Sequence, residues 1–244
     1  MTDLISVLIW VNNLLKNVLP QLHTKQLRFS AFLEVVRCLS EYKTVAEHGC
    51  AEYIEKKSRF ICNVMPVNTE QQAVEYINSL KRRYWDARHN VFAYVIRQGG
   101  IQRYSDDCEP RSTAGIPTLE AILKAGICDC VAVTTRYFGG TLLGTGGLVH
   151  AYSTAASRAI KEAGIVTMSL SDYCRLECSY NDYGRLSTLL KQHNAKALDT
   201  QFASNIRLDF SVCQKDIDRF KKELDEKFCG GINFDIIGSG YEKN

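Results

Sequence analysis

The chain has 244 residues, 45 % of them apolar, and a formal net charge of +3 from 30 Lys/Arg against 27 Asp/Glu. That length can bury one large core or two smaller ones, and the charge offers no bulk basic excess, so any nucleic-acid site has to come from a local patch. The ten cysteines include no CxxC pair and no histidine stands in an HExxH or zinc-finger spacing, which points away from zinc and disulfides and toward reduced thiols in a cytoplasmic protein.

The first apolar stretch, residues 4–19, is shorter than a membrane span, is interrupted by Asn12, Asn13, Lys16 and Asn17, and ends at Pro20. It reads as an amphipathic helix, neither a membrane span nor a secretory signal, because the start carries Asp3 and no small-residue cleavage site follows. From Tyr42 to Val67 the alternation of Ala51-Glu-Tyr-Ile-Glu and Arg59-Phe-Ile-Cys-Asn-Val-Met predicts strands. Asn68 is positioned to cap the next helix, with Gln71 as reciprocal partner, and Ala73, Ile77, Leu80 and Tyr84 mark its core face. Its basic end, Lys81-Arg82-Arg83, either complements the helix terminus or forms a phosphate-binding patch.

A hairpin follows, Val91–Ile96 and Ile101–Ser105 about the turn Gln98-Gly99-Gly100. It delivers Asp106, Asp107 and Glu109 into a turn before Pro110. Three carboxylates in four residues can hold a hard cation such as Mg²⁺ or cap the following turn and helix through backbone N–H groups. A helix opened by Pro117 is expected to bury Leu119, Ile122 and Leu123 and to stop at Gly126. The run Cys130–Arg136 is a buried strand by its β-branched, apolar content. Five glycines come next, Gly139, Gly140, Gly144, Gly146 and Gly147, and a helix beginning near Thr145 to Leu148 aims free N–H groups into that loop, a geometry suited to an anion. Arg136 and His150 are the nearby groups able to meet one, Arg136 being equally an ion-pair partner for the acidic turn. The loop lacks a P-loop lysine and is not GxGxxG, and no GxSxG elbow occurs, so no NTPase, dinucleotide or hydrolase site is indicated and no catalytic residue is assigned. From about residue 170 the order strand, helix, strand, strand, helix, strand reads as a ferredoxin-like β-α-β-β-α-β domain, with Ile217, Phe220, Leu224 and Phe228 as the buried face of its second helix.

The segments SDD-x-EP, TAG-x-P and TRYFGG-x-x-LGTGGLV-x-AY, in this order between Ser105 and Tyr152, resemble the signature of the YigZ/Impact family. The resemblance spans about Glu41 to Tyr241. It implies an α+β protein of two domains, residues 40–166 similar to the fold shared by a ribosomal-protein domain and domain IV of elongation factor G, and residues 167–244 the ferredoxin-like domain. Family members begin near Ser40, so residues 1–39 are expected to be an extension or a misassigned start. The chain departs from the usual pattern at Cys108, where Gly is common, at Arg111-Ser112, and at His150, where Arg is frequent. The implied function is a non-enzymatic cytoplasmic regulator acting near translation, with RNA or a ribosome-associated protein as partner. The basic residues Lys56, Lys57, Arg59, Arg82 and Arg83 would form its groove. The alternative is an enzyme or binder of a phosphorylated small molecule, with Mg²⁺ on the acidic turn and phosphate on the loop Gly139–Gly147.

Overall fold

The structure is a computed structural model that describes residues 41–243. The expectations for residues 1–39 lie outside the described residues. The described chain forms two compact units that divide after Thr167, both α+β and both built on antiparallel sheets.

In the unit Tyr42–Thr167, a short strand β1 (Glu41–Val45) precedes β2 (Gly49–Glu55), β3 (Ser58–Pro66), helix α1 (Glu70–Arg83), β4 (His89–Ile96), β5 (Ile101–Ser105), α2 (Gly115–Lys124), β6 (Cys130–Tyr137) and α3 (Gly144–Ala163). The sheet order is β2-β3-β6-β4-β5, with each neighbouring pair antiparallel. Because successive side chains on a strand point to opposite faces, β6 divides its apolar residues between two layers. Cys130 and Ala132 join Phe60, Cys62, Val64 and Ala93 under α2 and α3, while Val131 and Val133 join Tyr94 and Ile96 under α1. A strand covered on both faces has no solvent side to spare, which is why its first half, Cys130–Val133, reads as an unbroken apolar run.

Helix α3 presents Ala151, Ala155, Ala156, Ala159 and Ala163 to the core. These small side chains let it approach the sheet so closely that a Cβ on Gly49 would sit 2.4 Å from the Ala159 carbonyl oxygen. The helix starts at Gly144, earlier than expected, because the loop residues Gly144 to Gly147 themselves form its first turn. Two further expectations are corrected. The cap of α1 is Thr69, not Asn68: its Oγ1 accepts from the Gln72 N–H (3.2 Å), and Gln72 rather than Gln71 reaches back, its Oε1 accepting from the Asn68 N–H (2.7 Å). In α2 Leu123 is exposed, and Thr118, Ala121 and Ile122 take the buried face.

The second unit contains β7 (Ile165–Cys178), α4 (Tyr180–Gln192), β8 (Lys196–Phe202), β9 (Ile206–Cys213), α5 (Ile217–Phe228) and β10 (Phe234–Lys243). Its antiparallel strands run in the order β10-β7-β9-β8. Cys174, Leu176 and Cys178 of β7 and Ile206, Leu208, Phe210 and Val212 of β9 share one face, which Leu186, Leu189, Phe220 and Leu224 of the two helices cover. The nine described cysteines are free thiols. Burial pushes the Cys62 thiol up to about 12, so that side chain behaves as a small hydrophobe. Among the described residues no helix is long and apolar enough to cross a membrane.

Candidate functional site

The acidic turn is held by an unusual backbone. Asp107 and Cys108 both have positive φ, +43° and +68°, and Ser112 follows at +64°. Cys108 therefore occupies a left-handed position that glycine adopts without strain. The turn directs each carboxylate to a different set of donors. Asp106 Oδ1 accepts from the N–H groups of Ala114 (3.0 Å) and Gly115 (2.8 Å), and its Oδ2 from Ser112 (2.8 Å), so it caps α2, whose own cap residue is an alanine without a polar side chain. Asp107 Oδ2 accepts from the Asn90 N–H (2.6 Å) and Oδ1 from Lys81 Nζ (3.2 Å).

Glu109 is the most deeply placed of the three, its side chain 3 % exposed. Its Oε1 accepts from Arg136 Nη1 at 2.6 Å and from the Tyr152 hydroxyl at 2.8 Å. His89 Nε2 stands 3.9 Å from the same oxygen, and its Nδ1 is 2.8 Å from the Asp107 carbonyl oxygen. Burial, then the charge on Glu109, pushes the Tyr152 phenol far above its ordinary range, so it stays a hydroxyl donor. The Arg136 guanidinium, 7 % exposed, also lies against the rings of Phe60 (5.4 Å) and Phe138 (5.7 Å), and its buried Nε makes no hydrogen bond. Among the described residues no group of three His, Cys, Asp or Glu is arranged to hold a metal ion.

Register explains why these residues meet. Phe60 pairs with Arg136 across β3 and β6, and His89 with Arg136 across β4 and β6, so the end of β6 gathers residues from three strands and from α3. Tyr152 and His89 were not singled out from the sequence. Tyr152 was detectable as a member of the helical stripe Leu148, Tyr152, Ala155, Ala159, whereas His89 carried no signal until the strands were paired.

One residue past β6 the chain reaches the glycine loop. Gly139 N–H donates to Ser58 Oγ (3.1 Å), and a Cβ there would lie 2.1 Å from the Lys57 carbonyl carbon. The loop thus rests directly on the β2–β3 turn, where Lys56 and Lys57 are both left-handed, at φ +45° and +67°. Gly140 and Gly144 also have positive φ, while Gly146 and Gly147 belong to α3, and Thr145 and His150 are exposed on that helix, the His150 ring edge-on to Tyr53 at 6.1 Å.

The basic residues singled out from the sequence are in unequal states. Lys56, Lys57, Arg82 and Arg83 are exposed, and Arg83 lies 5.4 Å from the centre of the Tyr84 ring. Arg59 is occupied, donating to both Glu52 oxygens at 2.9 and 3.1 Å while lying over Tyr137. Surface depressions of about 420 Å³, beside Cys50, Glu52 and Arg158, and about 180 Å³, beside His193, Ser211 and Lys215, border neither the acidic turn nor the glycine loop.

These features define a class of two-unit α+β protein whose central strand carries a buried Glu–Arg–Tyr cluster at the root of a glycine loop. The family model described as Impact N-terminal domain matches residues 56–160, which contain that cluster, and one described as a domain of unknown function (DUF1949) matches residues 176–230. The chain is 37 % identical to the IMPACT family member YvyE of Bacillus subtilis, over 77 % of this chain and 87 % of that one. It is 31 % identical to the IMPACT family member YigZ of Escherichia coli, over 69 % of this chain and 84 % of the relative. Human Protein IMPACT is 27 % identical over 43 % of this chain and 33 % of its own length. A crystal structure titled as that of a hypothetical protein superposes with a TM-score of 0.53 at 27 % identity, covering 81 % of this chain and 98 % of the other. The chain belongs to the IMPACT family.

Proposed function

We propose that this protein is a non-enzymatic cytoplasmic regulator that acts near translation by binding RNA. The observation that carries this reading is a set of exposed cations, Lys56 and Lys57 on the turn under Gly139, and Arg82 and Arg83 at the end of α1, whose following turn is tied to the end of β6 by the Asp86–Tyr137 hydrogen bond. Cations on an open surface suit a phosphate backbone, which supplies most of the affinity in sequence-tolerant nucleic-acid binding. The strand order of the second unit agrees with a ferredoxin-like domain, and the resemblance to domain IV of elongation factor G that the family signature implies for the first, a likeness of fold rather than of site, favours ribosomal surroundings for it. The reading as a Mg²⁺-dependent site for a phosphorylated small molecule has less support, since all three carboxylates of the turn already accept internal hydrogen bonds.

The test is fluorescence anisotropy of a labelled 12-nucleotide RNA at two salt concentrations. Four phosphate contacts on single-stranded RNA give a log–log salt slope of about −2.8, so affinity should fall about 50-fold between 50 and 200 mM salt. Absence of binding at 50 mM, or binding indifferent to salt, refutes the reading.

A further inference from the structure

Two aromatic rings stand out from the same end of the first unit. Trp85 is 83 % exposed and Phe138 is 54 % exposed, whereas rings of this size ordinarily bury most of their area. Both are supported from behind. Asp86, the neighbour of Trp85, accepts a hydrogen bond from the Tyr137 hydroxyl at 2.8 Å, which ties the Trp85 turn to the end of β6. The same turn is closed by the Ala87 N–H donating to the Tyr84 carbonyl at 3.1 Å. Phe138 follows Tyr137 directly, and the guanidinium of Arg136, fixed by Glu109, lies 5.7 Å from its ring centre. Each ring is thus an apolar plate on a constrained backbone.

We propose that Trp85 and Phe138 are base-stacking platforms of a single-stranded RNA site, an inference that rests on the RNA reading above and narrows it. The chemistry selects the unpaired strand. In a duplex the base faces are stacked on one another and only edges and phosphates are offered, so exposed rings gain nothing there. An unpaired strand presents a π-face at each nucleotide, and stacking on an aromatic side chain accepts any base while neighbouring Lys and Arg follow the phosphates. Two exposed cations are near in the chain path: the Lys57 backbone lies beneath Gly139, the residue after Phe138, and Arg83 precedes Trp85 by two residues.

The experiment compares a 12-nucleotide oligouridine with an RNA duplex of equal length, on the full chain with Trp10 replaced by Phe so that Trp85 is the sole tryptophan. Oligouridine should quench Trp85 fluorescence and the duplex should not. By anisotropy of labelled oligouridine, Trp85→Leu and Phe138→Leu should each weaken binding about 10-fold, equivalent to about 1.4 kcal/mol, with the salt slope unchanged. Lys57→Gln should instead lower the slope by about 0.7. Both ring positions are exposed, so matching thermal midpoints will verify that the variants fold. If the two leucine variants bind like the parent and the duplex competes equally, the stacking inference is overturned and RNA binding stands. If neither RNA binds, both are overturned, and the same rings become candidates for a protein contact.

Discussion

Replacing Glu109 by Gln tests whether the acidic turn is fastened internally. Gln is nearly isosteric and keeps one acceptor oxygen, but it removes the charge facing Arg136 Nη1 at 2.6 Å and turns an NH₂ donor toward groups that are themselves donors. Arg136, 7 % exposed, is then a buried cation without a counter-charge. Removing one partner of such a pair costs about 3–5 kcal/mol, a large share of the 5–15 kcal/mol typical of a domain. With a urea m-value of about 2 kcal/mol/M, the midpoint should drop by about 1.5 M or more, read from far-UV circular dichroism. Replacing both partners together, Glu109→Leu with Arg136→Met, should recover most of the loss, because no orphaned charge remains. A midpoint shift below about 0.3 M at constant m in Glu109→Gln would refute the reasoning: the pair would then be solvated, and its oxygens free to serve a ligand.

Other outcomes follow from individual positions. Cys108→Gly relieves a left-handed residue at φ +68°, a strain of about 1–2 kcal/mol offset by about 0.5–1 kcal/mol of glycine entropy, so thermal melting should rise by a few degrees; a fall would contradict the strain. Gly139→Ala puts a Cβ against the Lys57 and Ser58 backbone and should cost about 1–3 kcal/mol, whereas Gly146→Ala, with open space and a helical position, should stabilise by up to about 1 kcal/mol; equal effects in denaturant titrations would show that the loop is not seated on the turn. In the second unit His193 Nε2 lies 3.1 Å from Glu223, and this hydrogen bond holds the Glu223 carboxyl below its ordinary 4.5. Since the folded value is the lower one, the unfolded chain takes the proton first as pH falls. The contribution is full above about pH 4.5 and is lost as pH drops through the depressed value. His193→Gln should therefore flatten the acid limb of the stability profile measured by urea unfolding, and an unchanged limb would remove the pair from the account.

What could be read from the sequence was local. The strand Cys130–Arg136 emerged because burial on both faces favours the apolar run Cys130–Val133 and the β-branched Thr134 and Thr135 that follow, and the buried stripe of α5 because Phe220 and Leu224 repeat at helical spacing. The alternatives at the acidic turn, by contrast, depended on partners far along the chain: Glu109 meets Arg136 and Tyr152 at separations of 27 and 43 residues, and composition cannot report who answers a carboxylate. The cap of α1 slipped by one residue because Asn68 and Thr69 are both competent and only the chain path out of β3 chooses between them. Leu123 misled for a related reason. It stands one turn after Leu119, yet Ile122, with Thr118 and Ala121, is turned inward.

The β2–β3 turn has a wider consequence. Two-residue hairpin turns with both φ positive are served best by Asn-Gly, and here two β-carbon-bearing lysines stand in those positions, at about 1–2 kcal/mol of strain apiece. A sequence optimised for rigidity alone would replace them and lose two positive charges in the same stroke. Thermostabilising this protein by consensus turn chemistry would therefore remove both charges from the turn under Gly139, so that, under the RNA-binding proposal, durability and recognition compete at Lys56 and Lys57.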